Sequence, residues 1–424
     1  MKPDWLKRRG YRHFDRPVGA EFAEKISDPK FVSRHSFSPL IHWVKTEKRY
    51  KLCQKSKTRV ISVKERPIKY ASRRDACILA YYAHRLGALL DGHYEKSGVS
   101  DSVLAYRALG LGNYDFAADT YAFAKQNSPV TILAFDVTSF FDNLDHRLLK
   151  SRLKRMLGVA ELPEDWFKVF RASTCYRYVD LEQLKGNPAF AARFAAGRRD
   201  PIATIAELKA AGVPFLPNPT PKKGIPQGTP MSAVASNLYM IDFDASARAY
   251  CDGIGALYRR YSDDILVICK PEHAKAAEAE ILRLIGVECL EIAPHKTEVT
   301  PFDAAAAGSG KVAQYLGFML GRDDVALRQS SLSRQWRKMR RAFGRTQRIA
   351  SDEIAAGRAD KAFTKRLRKR FTALKFRNFS SYARRSARAF GGGQTILRQV
   401  RRFERAVERE LAALKAIGEP KPPV

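Results

Sequence analysis

No run of about 18 apolar residues occurs in this chain, so a transmembrane helix is not expected. The opening stretch, MKPDWLKRRG, has no apolar segment of the secretory kind. Neither a lipidation site nor an amphipathic terminal helix stands out, so membrane anchoring is not expected either. Cysteine is scarce and scattered: Cys53, Cys77, Cys175, Cys251, Cys269 and Cys289 form no C-x-x-C pair, which argues against a zinc site. Most of them sit in apolar runs, as small core residues do, and such usage fits a reducing cytoplasm. Acidic residues are few for the size: 44 Asp and Glu stand against 76 Lys and Arg, a net charge of +32. A charge of that size calls for a polyanionic partner, and with no membrane anchor in view nucleic acid is the better one. No internal repeat is visible.

What is present is an ordinary apolar share, 45% over 424 residues, enough for two to four packed units. Residues 1–50 carry scattered aromatics (Trp5, Tyr11, Phe14, Phe22, Phe31, Phe37 and Trp43 among them) that are expected to pack onto the main body. In KTRVISVKERPIKYA, residues 57–71, Val60, Ile61 and Val63 predict one strand and Ile68 and Tyr70 another, joined by a basic break at Lys64 to Arg66. Basic residues on such a pair suit a triphosphate or a backbone phosphate. Ser72 opens a helix that Asp91-Gly92 is expected to close, with Asp75 completing a capping box. A second helix is expected across 114–126, and others from about 145 to 157, 163 to 178 and 271 to 286. Residues 180–223, ending in the Pro-rich GVPFLPNPTPKKG, read as an insertion or mobile loop. QYLGFML, 314–320, reads as an apolar strand with Gly317 inside it. Residues 331–410 hold 24 Lys and Arg against 6 Asp and Glu, +18 in about a fifth of the chain. Aromatics interleave there at helical spacing, which predicts a bundle with an apolar core and a basic face for phosphate.

Three carboxylates carry the chemistry. Val130 to Phe135 is a short, nearly continuous apolar run, the mark of a strand buried on both faces, and Asp136 ends it. An ionised carboxylate there is costly unless it is paired or on a metal. ALYRRYSDDILVIC, 256–269, reads as a hairpin with Asp263 and Asp264 side by side at its turn. Between these elements, GIPQGTPMS has Gly224, Pro226 and Gly228 in a tight turn, Gln227 within it, and Pro230 at the first position of a helix. Two strand ends bearing Asp could meet at one edge of a small antiparallel sheet. Such a cluster would suit two Mg²⁺ ions, with Mn²⁺ able to replace them, because Mg²⁺ takes a few carboxylates together with water and substrate phosphate.

FDVTSFFDNL resembles the first catalytic motif of reverse transcriptases, GIPQGTPMS the second and YSDD their Tyr-x-Asp-Asp motif. HKTEV resembles the motif that follows, and YLGF the primer grip. The likeness covers roughly residues 55 to 320, in family order. It implies an α+β right-hand polymerase fold: an N-terminal extension over 1–50 packing on fingers at 51–129, a palm at 130–324 with the insertion at about 180–223, and a basic helical thumb at 325–424. It implies an RNA-directed DNA polymerase that joins dNTPs into cDNA on an RNA template. By similarity Asp136, Asp263 and Asp264 bind the metals, with the Val137 carbonyl assisting. Lys64 and Arg66 would hold the triphosphate, Phe141 would lie under the sugar and exclude a 2′-hydroxyl, and Gln227 would touch the nucleotide or templating pair. Lys296 would be the general acid for pyrophosphate. Tyr261, Leu316, Gly317 and Phe318 would steady the primer end, and Lys365, Arg366, Arg368, Lys369 and Arg370 would grip the duplex.

RPIKYASRRDACILAYYA, FFDNLDHRLLK and SNLYMIDFD further resemble bacterial unknown-group enzymes, in particular the type two defence-associated reverse transcriptases. That subgroup implies antiphage defence in the cytoplasm, with a partner noncoding RNA as template. Ser262 and Thr229 depart from the residues usual in such motifs, though both remain small. Other readings are retron-like, template-independent or protein-primed synthesis, or an RNA-binding scaffold with a vestigial polymerase site.

Overall fold

The computed structural model describes residues 5–52, 59–196, 200–292, 297–303, 312–373 and 377–417. From the N-terminus come α1 (Ala20–Lys25), α2 (Pro29–Arg34), β1 (Leu40–Leu52), β2 (Arg59–Tyr70), α3 (Arg73–Lys96), α4 (Asn113–Gln126) and β3 (Val130–Asp136). Then follow α5 (Phe140–Asn143), α6 (His146–Leu157), α7 (Glu164–Thr174), β4 (Arg177–Asp180), α8 (Leu181–Gly186), α9 (Pro188–Ala195), α10 (Ile205–Ala210) and β5 (Leu216–Pro217). The next block is α11 (Pro230–Tyr239), α12 (Ile241–Gly253), β6 (Leu257–Tyr261), β7 (Asp264–Cys269), α13 (Ala274–Val287) and β8 (Glu298–Phe302). Last are β9 (Ala313–Tyr315), β10 (Phe318–Leu320), β11 (Val325–Leu327), α14 (Gln329–Ala355), α15 (Lys365–Phe371), α16 (Phe379–Ala389) and α17 (Gln394–Lys415). Among the described residues no helix is long and apolar enough to cross a membrane.

The apolar run before Asp136 forms an inner strand of an antiparallel sheet ordered β6-β7-β3-β8. Strand periodicity sends alternate side chains to opposite faces. Leu133, Phe135, Ile265 and Val267 join the larger core with α3, α11, α12 and α13. Ile132, Leu266 and Ile268 join a second core with α4, the small sheet β9–β11, α16 and α17. Leu133, Val267, Leu266 and Ile268 are fully buried, each contributing about 1.5–3 kcal/mol. The sheet is therefore covered on both sides, and its apolar pattern stops at the end that carries Asp136 and Asp264. The chain is an α+β fold. Behind it, α14, α15 and α17 share a third core through Met339, Phe343, Leu367, Phe371, Phe403 and Val407, and Gly391–Gly393 separates α16 from α17.

Several local expectations change. Residues 59–70 are one strand, not two. β2 stays paired with β1 throughout, with Lys45↔Arg66, Thr46↔Glu65 and Glu47↔Lys64 in register, so the basic triplet lies within the ladder rather than in a turn. A boundary at residue 51 would cut this ribbon. The α3 helix runs past Asp91-Gly92 to Lys96, because Leu90 and Tyr94 continue its buried face. Ser72 does cap it, accepting from the Asp75 N–H at 3.1 Å, but Asp75 does not reciprocate. Its carboxylate turns to the Ser38 N–H at 2.9 Å and to His35 at 2.7 Å. Asp15 instead accepts from the Arg73 and Arg74 N–H groups at 3.0 and 2.7 Å, fastening the N-terminal segment to the helix. Trp5, Phe22, Phe31 and Phe37 pack against the main core.

The described part of 180–223 is a folded unit, not a loop. Leu184, Phe190, Ile202, Leu208 and Val213 bury a core of their own against Ile41 of β1 and Val179 of β4. The Leu316-Gly317 pair is the turn between β9 and β10, with φ of 44° and 96°, so Gly317 is not inside a strand. β11 pairs with β10, which carries that small sheet across the boundary drawn at residue 325.

Candidate active site

The register of β3 and β7 sets Asp136 directly opposite Asp264. Opposed residues of an antiparallel pair share a face with Cβ atoms about 4.5–5.5 Å apart. Asp263 sits half-buried in the turn just before, and its carbonyl accepts from the Val137 N–H at 3.3 Å. The three carboxylates thus occupy one end of the sheet, where Val137 is buried, Asp136 is half-buried and Asp264 is exposed.

The tip is held from behind. Arg260 and Asp244 are both fully buried, and the guanidinium grips the carboxylate through Nε and Nη2 at 2.6 and 2.7 Å. Its Nη1 donates to the Ser262 carbonyl at 3.0 Å and to Asn237 Oδ1 at 3.3 Å. Tyr258 donates its hydroxyl to Asp244 Oδ1 at 2.7 Å. Ser262 is left-handed, φ 62°, and its hydroxyl hydrogen-bonds the Tyr106 hydroxyl at 3.0 Å. The residue before Asp263 is therefore fixed at its carbonyl by Arg260 and at its side chain by Tyr106. Burial raises the Tyr106 phenol pKa; its bond to Ser262 lowers it, and the negative charge of Asp263 raises it further. Tyr261, paired across the hairpin with Asp264, is raised by burial and by that carboxylate.

The two glycines of GIPQGTP do permit a close approach, but to the chain's own backbone. Gly224 has φ +80°, and a Cβ there would stand 2.8 Å from the Asp142 carbonyl. Gly228 has φ +123°, and a Cβ would stand 2.8 Å from the Lys69 carbonyl and 2.9 Å from Ile68 Cγ2. Ile225 N–H donates to the Phe141 carbonyl and Lys69 N–H to the Gln227 carbonyl, each at 2.8 Å. The turn clamps the end of β2 and the α5 segment together; Gln227, between the two glycines in sequence, is half-buried, and Thr229 heads α11.

Phe141 lies on α5 beside Phe140, ring centroids 5.4 Å apart, and is half-buried. Next to it, burial pushes the Asp142 carboxyl above its usual range against the pull of Lys69. Burial pushes the Lys69 ammonium down against the pull of Asp142. Lys69 also lies 5.7 and 5.1 Å from the ring centroids of Tyr176 and Tyr178. Lys64 and Arg66 are on β2, both half-buried; Arg66 reaches Glu47 at 3.9 Å, a surface contact worth little that phosphate could replace. Leu316 and Gly317 form the β9–β10 turn, and buried Phe318 packs on Phe390 at 5.0 Å. Lys365, Arg366, Arg368, Lys369 and Arg370 lie on α15 in the bundle, away from the tip in sequence and on a different core. Lys296 lies outside the described residues.

Among the described residues no three Asp, Glu, His or Cys side chains converge closely enough to cage an ion unaided. The donor set nevertheless suits Mg²⁺, which binds hard oxygens through one or two carboxylates and fills its shell with water and phosphate. Asp136, Asp263 and Asp264 could hold it in that way. Sequence reasoning missed the Arg260–Asp244 pair, Tyr106 and the Lys69–Asp142 pair. Two adjacent arginines, Arg259 and Arg260, within the short strand β6 were a signal for Arg260. Nothing local pointed to Asp244, because the helix–strand contact that joins them is tertiary.

Residues 218–320 match the family described as "Reverse transcriptase (RNA-dependent DNA polymerase)". The matched segment contains the Gly-Gln turn, the hairpin and its Asp-Asp tip. No curated protein sequence matches the chain. Among solved structures, the chain is similar to telomerase from Candida albicans in complex with a TWJ fragment of telomeric RNA, at 12% identity and a TM-score of 0.46 over 93% of this chain and 57% of that one. It is also similar to apo telomerase from Candida tropicalis, at 11% identity and a TM-score of 0.47 over 89% and 60%. The chain spans less than two thirds of the length of either.

Proposed function

We propose that the chain copies RNA into cDNA by joining dNTPs to a primer in a metal-assisted nucleotidyl transfer. The observation that carries this reading is the register that opposes Asp136 and Asp264 beside Asp263, at the end of a sheet covered on both faces. Divalent ions bound there would lower the pKa of the attacking 3′-hydroxyl and neutralise charge on the triphosphate. The chain's own groups supply the rest. Arg66 and Lys64 meet the triphosphate, Gln227 the nascent pair, and the Leu316-Gly317 turn with Phe318 the primer end. Lys296 donates a proton to pyrophosphate. The test is primer extension by the purified chain on a primed RNA, with dNTPs and Mg²⁺. A chain that binds RNA but makes no product would favour the scaffold reading. Product made without template would favour template-independent synthesis.

Phe141 is the proposed sugar gate. Phe141→Ala is expected to raise ribonucleotide use relative to deoxynucleotide use by roughly tenfold or more, on the scale of about 1–3 kcal/mol for steric discrimination in a pocket. Competing rNTP and dNTP incorporation measures it, and an unchanged ratio places the gate elsewhere. The α15 cations are proposed to hold backbone phosphate. Neutralising Lys365, Arg366, Lys369 and Arg370 should flatten the salt dependence of template–primer binding by roughly one unit per lost contact. An unchanged slope would make them solvated surface.

The finer proposal is antiphage defence with a dedicated noncoding RNA as template. Its support is the likeness of the flanking segments to the type two defence-associated enzymes. Phage plating on cells expressing the chain tests it, and sequencing of copurified nucleic acid identifies the template. Equal plating with and without the chain would count against a defence role.

A further inference from the structure

A second basic site lies at the seam between the N-terminal segment, α7 and the folded insertion. A cavity of about 400 Å³ opens there, lined by Lys168 and Arg171 of α7, Arg177 of β4 and Lys209 of α10. It shares no lining residue with the Asp136, Asp263 and Asp264 end of the sheet. Arg171, Arg177 and Lys209 are exposed and Lys168 is half-buried. Asp75 is the one acid among the lining residues, and several acids on the surrounding elements are otherwise engaged. Asp75, on the cavity wall, is taken by His35 and the Ser38 N–H. Asp165 accepts from the Tyr82 hydroxyl at 2.6 Å, Glu207 pairs with Arg193 at 2.5 Å, and Asp180 pairs with His42 at 3.0 Å.

Four cations converge on one concavity whose one lining carboxylate is already engaged, which concentrates positive potential for an anion. The half-buried rings of Phe37 and Phe215 stand in the same wall. Cations that track a backbone beside faces on which bases can stack are what single-stranded nucleic acid uses. We infer that this cleft binds a single-stranded segment of RNA through its sugar–phosphate backbone, outside the polymerase groove. The inference builds on the reading of the chain as an RNA-handling enzyme, and it gives the insertion a role: α10 supplies one wall.

The test is RNA binding by the full chain, which needs no polymerase activity. Lys168, Arg171, Arg177 and Lys209 are replaced together by alanine, a strong helix former at the three helical positions. Affinity for a labelled single-stranded RNA should fall about tenfold or more at moderate salt, and the salt slope should shrink by roughly 0.7 per contact, about 3 in all. Primer extension on a short preannealed duplex should keep its rate, so failure of the cleft is distinct from failure of the polymerase reading. Without any substitution, the exposed Cys175 thiol in the same wall reports occupancy. RNA should slow its alkylation, followed by mass of the Cys175 peptide, while exposed Cys289 serves as a control. Unchanged affinity and slope, or an alkylation rate indifferent to RNA, would overturn the inference. So would release of RNA from the cleft by inorganic phosphate at constant ionic strength, which would make it a small-anion site. A variant with wild-type RNA binding that loses a copurifying protein would make the cleft a protein surface and overturn the inference as well.

Discussion

Replacing Asp263 and Asp264 together by alanine is expected to abolish DNA synthesis on primed RNA, by at least roughly 10³-fold, and to leave the fold intact. The magnitude follows from the proposed role: losing a single electrostatic stabiliser at a reacting centre costs about 10²–10³-fold, and here two would be lost with the metal they are proposed to hold. The fold survives because both residues lie at the sheet's end, where Asp263 is half-buried in a turn and Asp264 is exposed. Removing two neighbouring negative charges also relieves repulsion with Asp136 across the register. The thermal unfolding midpoint should therefore stay close to that of the unaltered chain. Primer extension paired with thermal unfolding is the measurement. Retained synthesis in the double variant would refute the metal assignment, and a lost fold would show that the carboxylates are structural.

Arg260→Ala should be among the most destabilising single changes in the β6-β7-β3-β8 sheet. The guanidinium and the Asp244 carboxylate are both fully buried, and removing one partner of such a pair leaves an uncompensated charge, at a cost of about 3–5 kcal/mol. Tyr258 would remain as a donor to Asp244, but one hydroxyl does not replace a bidentate cation. Arg260→Lys separates positioning from stability. A lysine keeps the charge beside Asp244, yet its point-like ammonium cannot also serve the Ser262 carbonyl as the planar fork does. That variant should fold and show a raised Mg²⁺ requirement for synthesis, because the left-handed Ser262 that sets Asp263 is no longer fixed from behind. Unfolding midpoints and extension rates against Mg²⁺ concentration test both claims. An Arg260→Ala chain that melts with the unaltered one would dismiss the buried pair as a determinant.

Much of the site was legible in the chain because its signals are short-range. The run before Asp136 reads as a buried strand, and the apolar flanks of Asp263 and Asp264 read as a hairpin. Pro230 marks its helix start, and Gly224 and Gly228 mark a strained turn. What failed did so where a local signal competed with a distant partner. Lys64 to Arg66 look like a break until β1 supplies a strand to pair with them. Asp75 looks like a reciprocal cap until Ser38 and His35 arrive from the N-terminal segment. The insertion looks mobile until Ile41 and Val179 offer its apolar residues a surface to bury against.

By itself the sequence determined the basic character of the chain, the order of its motifs and which three carboxylates are candidates for the site, because charge, spacing and periodicity are properties of neighbours along the backbone. Only the tertiary structure decided that Asp136 faces Asp264 in register, that the close-approach glycines press on the chain's own β2 and α5, and that Arg260 reaches Asp244 to hold the tip. Those are contacts between elements far apart in the chain, and burial in a shared core is what brings them together.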